Sequence, residues 1–235
     1  MIKRNEEHVE GGSKIRSILL GLNDGLISTF TLLIGVAAAT LISTGDNTIV
    51  ILTGLAAMVS GACSMGLGEY ISSKSEFNFL KNEMKKEKAE IELFPEEEKE
   101  EVREIFEKMG FRGDELTSCV DTITSNKEIW YNFLLGSELG IDEPEKPLIG
   151  AILTFIAFTF GAFIPLFPYF LNLGIISLII SSILSFGMLI IVGALKTNIT
   201  GEKKLKGALE MLMIGVIAFI ISFAIGLLLD QFIII

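Results

Sequence analysis

The chain has 235 residues, half of them hydrophobic (50%), and a mean hydropathy of +0.58. That is too apolar for an ordinary soluble domain and points to a membrane protein with several spans. The formal net charge of -10 leaves no overall basic surplus, so nucleic acid is not an expected partner.

The N-terminal stretch MIKRNEEHVEGG is polar and lacks a short apolar core ending in small residues, so no signal or transit peptide is expected. Five stretches are then long and apolar enough to cross a hydrocarbon core of roughly 30 Å as helix. They run approximately Ser17 to Ile42, Ile49 to Ser72, Leu148 to Phe167, Ile175 to Leu195 and Gly207 to Ile234. Cys63 falls in the second stretch and Cys119 in a charged block after it, so no disulfide is expected.

That block, from Lys74 to Lys146, holds 20 acidic and 11 basic residues, a net of -9 that supplies most of the chain's charge. It reads as helices: the second span continues to about Glu92, a helix opens at Pro95 and stops at Gly110, and two more lie near Asp114 to Ile123 and Lys127 to Leu139. Lys and Arg occur only before the first span, in this block, and between the fourth and fifth spans. The positive-inside rule therefore places the N-terminus and the block in the cytosol and the C-terminus outside, a parity that five spans satisfy. The expected fold class is an all-α membrane protein: five transmembrane helices with a cytosolic helical domain inserted between the second and third. Its parts are residues 1–73 (tail and spans one and two), 74–147 (the acidic insert) and 148–235 (spans three to five).

Two acidic residues lie well inside the spans, Asp24 and Glu69. An ionised carboxylate there costs at least a few kcal/mol and usually faces a bundle interior or a watery path. Asp24 is about 10 Å beyond Ser17 along a helix, too deep for so short a side chain to reach headgroups. The alternative is a frayed, hydrated helix start that Asp24 caps. Glu69 lies closer to the edge of its span. Small residues recur every four positions at Ser17, Gly21, Gly25 and Thr29, and at Ala56, Ser60, Ser64, Gly68 and Ser72, the pattern that lets helix backbones approach. Met65 and Glu69, four apart, share a face, so Asp24, Met65 and Glu69 are candidates to meet in one crevice. A thioether beside carboxylates suits a borderline transition metal better than Na⁺, Ca²⁺ or Mg²⁺. In the insert, Glu87 with Glu90 and Glu98 with Glu101 are spaced i, i+3, so each pair projects to one side and can chelate a divalent cation. A solvated acidic face is the alternative. A complete di-iron site is not expected, because the single histidine, His8, is in the tail.

The stretches GLNDGLISTFTLLIGVAAA, SGACSMGLGEYISSKSE and GAFIPLFPYF, in that order around an acidic insert, resemble the vacuolar iron transporter family of plants, fungi and prokaryotes. The resemblance covers the chain from about Ile15 to the end of the fifth span. It implies a homodimer with five spans and a cytosolic metal-binding domain, moving Fe²⁺ and often Mn²⁺ out of the cytosol in exchange for protons. By resemblance, Asp24 and Met65 match path-lining residues of the first and second spans. Glu87, Glu90, Glu98, Glu101 and Glu138 match glutamates of the metal-binding domain. Ala57 stands where plant members carry a glutamate, and Leu134 and Leu135 where others carry methionines just before the matching Glu138.

The function expected is divalent-metal export by proton antiport, with no enzyme activity and no cofactor beyond the metal carried. The competing expectation is a membrane-anchored metal buffer or sensor without transport. An intramembrane aspartyl protease would need paired aspartates, one of them in Gly-x-Gly-Asp, and the lone Asp24 in GLND does not supply them. Abundant Lys and Glu with one glutamine, Gln231, suggest a thermophilic prokaryote and its cell membrane.

Overall fold

The computed structural model describes residues 12–139 and 146–233, and every element among them is helical. In chain order these are α1 (Gly12–Thr44), α2 (Thr48–Leu93), α3 (Pro95–Lys108), α4 (Gly113–Thr124) and α5 (Lys127–Leu134), the last continued by a π-turn over Leu135–Leu139. There follow α6 (Pro147–Leu166), a 3₁₀ turn over Phe167–Leu171, α7 (Ile175–Thr200) and α8 (Lys204–Ile233). Five of them are long and apolar enough to cross a bilayer: Lys14–Leu41, Thr48–Leu93, Pro147–Leu171, Ile175–Thr197 and Lys204–Leu229. The chain divides into two compact units, Met1–Tyr70 with Leu148–Ile235, and Ile71–Pro147.

In the first unit α1 is the central helix. Leu26 is buried with Leu189 of α7 and Met211 of α8. Phe30 meets Phe186 edge-on at 5.4 Å and stacks on Phe219 at 6.0 Å. On its other side α1 lies against α6 with the two backbones in contact. A β-carbon at Gly21 would come within 2.6 Å of the Thr154 carbonyl oxygen, one at Gly25 would collide with the Phe158 carbonyl, and one at Gly161 would collide with the Leu22 carbonyl. The contacts advance in step along both chains, so α1 and α6 run parallel. α2 packs on α6 in the opposite sense, with Gly54 against Leu166, Gly61 against Phe158 and Gly66 against Phe155 and Ala151.

The two small-residue stripes have different fates. Ser17, Gly21, Gly25 and Thr29 are all buried within the chain, whereas Ala56, Ser60, Ser64, Gly68 and Ser72 are all exposed. At the end that carries the α1–α2 connection, Asn47 is fully buried and its Nδ2 donates to the Tyr169 carbonyl and to Ser177 Oγ, each at 3.1 Å. Ser181 Oγ donates to the Pro165 carbonyl at 2.7 Å. The third apolar stretch, read as approximately Leu148 to Phe167, is α-helical to Leu166 and then tightens into the 3₁₀ turn, where Pro168 cannot donate to a helical ladder.

The second unit has its own core of Ile91, Val102, Leu116, Val120, Trp130 and Leu134. Phe106 and Phe133 stack beside it at 5.1 Å. Pro95 opens α3 as expected, and Gly110, at φ 104, takes the left-handed turn after it. Asn126 caps α5, accepting from the Glu128 and Ile129 amides. Lys99 reaches from α3 to Asp121 of α4 at 2.7 Å. The final helix, expected over Lys127 to Leu139, loosens into the π-turn from Leu135. The expected stop at Gly140 and the turn residue Pro144 lie outside the described residues.

The α1–α6 contact generates a prediction. Gly25→Ala should destabilise the detergent-solubilised protein by about 1–3 kcal/mol, the usual cost of overpacking, whereas Gly187→Ala, where an added β-carbon meets nothing within 4 Å, should stay within about 0.5 kcal/mol of wild type. Thermal unfolding of the two variants side by side reads the difference.

Candidate functional site

Asp24 lies in the interior of α1, roughly three turns beyond the start of that helix at Gly12. The helix is unbroken there, so Asp24 caps no helix end, and the reading of a frayed start is set aside. Ser28 Oγ bonds back to the Asp24 carbonyl, a local contact that leaves the carboxylate unaffected. The Asp24 side chain is exposed in the chain taken alone, on a line with Leu20, Ser28 and Leu32, which are exposed as well. That line is the face of α1 that none of α6, α7 and α8 covers.

Met65 and Glu69 have other neighbours. Met65 is half-buried against Ala62 of its own helix and Phe158 and Ala162 of α6. Glu69 Oε1 accepts from Ser17 Oγ at 3.1 Å, and Ser17 itself is buried. The same carboxylate oxygen stands 3.1 Å from where a β-carbon of Gly150 would be. Spacing makes Asp24, Met65 and Glu69 candidates for one crevice; within a single chain Glu69 is tied to α1 and α6, Met65 packs on α6, and Asp24 faces outward. Ala57, at the departure from the plant pattern, is half-buried on α2.

In the second unit the two i, i+3 pairs are split. Glu87 and Glu98 are buried, at 8% and 5% exposure, while Glu101 is exposed. Glu90 is half-buried and lies 3.6 Å from Lys86. The split follows from the core. Glu87 precedes Ile91 by one turn and Glu98 precedes Val102 by one turn, so each shares a face with a core residue, and Glu101 falls off that face. Tyr131 of α5 stands close enough to sense Glu87. Its phenol is raised above the usual value, first by burial and then by the Glu87 charge. Nothing in the sequence marked Tyr131; only the fold brings α5 to this part of α2. Leu134 and Leu135 are both buried, and Leu134 belongs to the core itself. The side chain of Glu138, on the π-turn, lies outside the described residues. Among the described residues, no three His, Cys, Asp or Glu side chains converge as a metal site. What the unit does present is two carboxylates withdrawn from solvent on adjoining helices, a costly placement for a charge unless a cation or hydrogen bonds compensate it.

The comparisons with known proteins agree along nearly the whole chain. The VIT family matches residues 15–227. Vacuolar iron transporter 1 of Arabidopsis thaliana is 36% identical over 224 residues, covering 94% of this chain and 88% of the relative. Vacuolar iron transporter 1 of Eucalyptus grandis is 34% identical over the same shares of both chains. The vacuolar iron transporter of Plasmodium falciparum is 29% identical, covering 97% of this chain and 87% of the relative. These relatives are eukaryotic, and none of them supports the prokaryotic assignment suggested by composition. A match that runs through all five spans and the acidic insert, and includes the segments holding Asp24, Met65 and the insert glutamates, establishes that the chain belongs to the VIT family.

Proposed function

We propose that the protein is a transporter that carries Fe²⁺, and Mn²⁺ as a second substrate, out of the cytosol in exchange for protons. The observation that carries this reading is Asp24, a carboxylate on an uncovered face in the interior of a span. A passive anchor has no use for such a group, which would face hydrocarbon at a cost of at least a few kcal/mol. The relatives' names supply the iron.

A second copy of the chain is what covers that face in this reading. The exposed small-residue line of α2 is suited to close approach of another helix, and the uncovered line of α1 adds Leu20 and Leu32 as packing surface on either side of Asp24. A homodimer built on these faces brings two Asp24 carboxylates to one path and shields them from lipid. Met65, on α2, adds a thioether, a softer ligand that favours Fe²⁺ over the alkaline-earth ions. A carboxylate there holds either a divalent ion or a proton, and holding both is unfavourable. Protonation from one side then expels the metal, and deprotonation on the other side reopens the site, which is the competition that antiport requires.

The insert is assigned to the cytosol, where it captures metal. Glu87 and Glu98 are the inner ligands and Glu90 and Glu101 the outer ones, with Glu138 included by resemblance alone. Leu134 in place of a methionine contributes packing at this position and no thioether, so the insert site is carboxylate-based and accepts Mn²⁺ as well as Fe²⁺. The distribution of Lys and Arg supports a cytosolic N-terminus and an opposite C-terminus. Composition alone supports a prokaryotic cell membrane as the location.

Metal flux into proteoliposomes under an imposed pH gradient tests the transport reading. Wild type should show gradient-dependent Fe²⁺ and Mn²⁺ flux, and Asp24→Ala should lower it by about a hundredfold or more, as loss of a group acting at the transport step implies. Absence of flux from wild type, with metal still bound by the insert, supports the anchored buffer instead.

The insert carries its own reporters. Trp130 is the only tryptophan in the chain and is buried in the core that Glu87 and Glu98 adjoin. Its fluorescence should be quenched by Mn²⁺ or Fe²⁺, and Glu87→Gln or Glu98→Gln should weaken the apparent affinity by about tenfold, equal to about 1.4 kcal/mol. A cation beside Glu87 cancels the charge that raises the Tyr131 phenol. Metal should therefore lower that pKa toward the ordinary tyrosine value, with burial keeping it somewhat above, as followed by tyrosinate absorbance. Because the folded pKa is raised, the stability it contributes is full below the unfolded tyrosine pKa and is lost as pH rises through the raised value.

A further inference from the structure

Glu69 is the second carboxylate in the spans, and the structure gives it surroundings different from those of Asp24. One oxygen accepts from Ser17 Oγ at 3.1 Å, and Ser17 is 5% exposed. Gly150 of α6 forms a notch for the same oxygen: a β-carbon there would stand 3.1 Å from Glu69 Oε1 and 3.6 Å from Ser17 Oγ. One turn further along α6, the fully buried Thr154 directs its hydroxyl to the Ser17 carbonyl at 3.5 Å, the outer limit of a hydrogen bond. Glu69 also shares its face of α2 with Met65, Ala62 and Gly61, which all pack on α6. The neighbouring residues Gly68, Ser64 and Ser60 are on the exposed side.

We propose that Glu69 is a positioning residue that joins α2 to α1 and α6, and is no ligand of the transported ion. The proposal rests on the transport reading and changes one part of the sequence expectation, which made Glu69 a candidate to meet Asp24 and Met65 in one metal-binding crevice. The carboxylate lies at a junction of three helices: its own, the helix that carries Asp24, and the one on which Met65 packs. Met65 is one turn away on the same helix but has its own packing against Phe158 and Ala162 of α6, so the hold at Glu69 governs how α1, α2 and α6 move together and not where the thioether sits. The next residues after Tyr70 belong to the other unit, so Glu69 is also within two residues of the last point at which α2 is held by the membrane bundle. Loss of this hold lowers the rate of transport and leaves recognition of the metal unchanged.

The test is metal flux by the full-length protein in proteoliposomes over a series of metal concentrations, with hydrogen exchange at the start of α1 measured on the same variants. Glu69→Gln, whose amide oxygen still accepts from Ser17, should keep the maximal rate within about twofold of wild type. Glu69→Ala should lower the maximal rate by about fivefold or more at an unchanged half-saturating metal concentration. Ser17→Ala combined with Glu69→Ala should be no worse than Glu69→Ala alone, since both remove the same contact. Exchange of the α1 amides near Ser17 should quicken in Glu69→Ala and return to the wild-type rate in Glu69→Gln. A Gln variant as inactive as the Ala variant, or one with a raised half-saturating concentration, overturns the proposal in favour of a charged ligand. Unchanged hydrogen exchange in Glu69→Ala overturns it whatever the flux. Failure of wild type to transport at all defeats the transport reading, and the hydrogen exchange still decides whether the contact holds.

Discussion

The membrane unit depends on the contact between the backbones of α1 and α6. Two helices with side chains between them stand 8–10 Å apart; glycine at positions 21, 25 and 161 lets these two come closer. Dispersion is the main attraction available to helices already dissolved in lipid, and it rises with the area in van der Waals contact. The close approach also decides what else α1 can touch. With one side against α6 and another against the aromatic group of Phe186 and Phe219, α1 has a single remaining face, and that face holds Asp24.

The chain then treats its acidic residues in three ways. Asp24 is left uncovered at the interior of a span. Glu69 is held by a buried hydroxyl in a glycine notch. Glu87 and Glu98 are drawn against the small core of the second unit and are largely withdrawn from solvent. The desolvation penalty is common to all of them, and the compensation differs in each case: a neighbouring copy and a moving cation for Asp24, a hydrogen bond for Glu69, and bound metal for the insert pair in the reading given above. A similar carboxyl group therefore stands in three different surroundings: an uncovered helix face, a hydrogen-bonded notch and the edge of a small core.

Much of the architecture was legible in the sequence. Long apolar runs marked the five candidate spans, the second continuing as one helix to Leu93, and Pro95 and Gly110 marked helix ends in the insert for reasons of backbone geometry. The small-residue stripes were legible as faces, yet identical spacing concealed opposite outcomes, one packed on α6 and the other left open, because periodicity names a side of a helix and never its partner. The glutamate pairs show the same limit. Spacing of i, i+3 placed both members on one side, while the phase of Ile91 and Val102 determined that Glu87 and Glu98 would face inward. The junction of Ser17, Glu69 and Gly150 was not legible at all, since it joins three segments far apart in the chain through contacts that only the packed bundle creates.

The pairing of Gly25 with Phe158 bears on how the chain is made. More than half of the sequence separates these two residues, so α6 leaves the ribosome many seconds after α1, at roughly 5–20 residues per second. During that interval α1 has entered the bilayer with its glycine face unfilled and its aspartate unshielded, and α2 is the only other span present. The insert, whose core lies wholly within Ile71–Pro147, has time to fold before the third span emerges. Biogenesis therefore begins with α1 and α2 alone in the bilayer, and the arrival of α6 fills the glycine face of α1 while leaving the line through Asp24 uncovered.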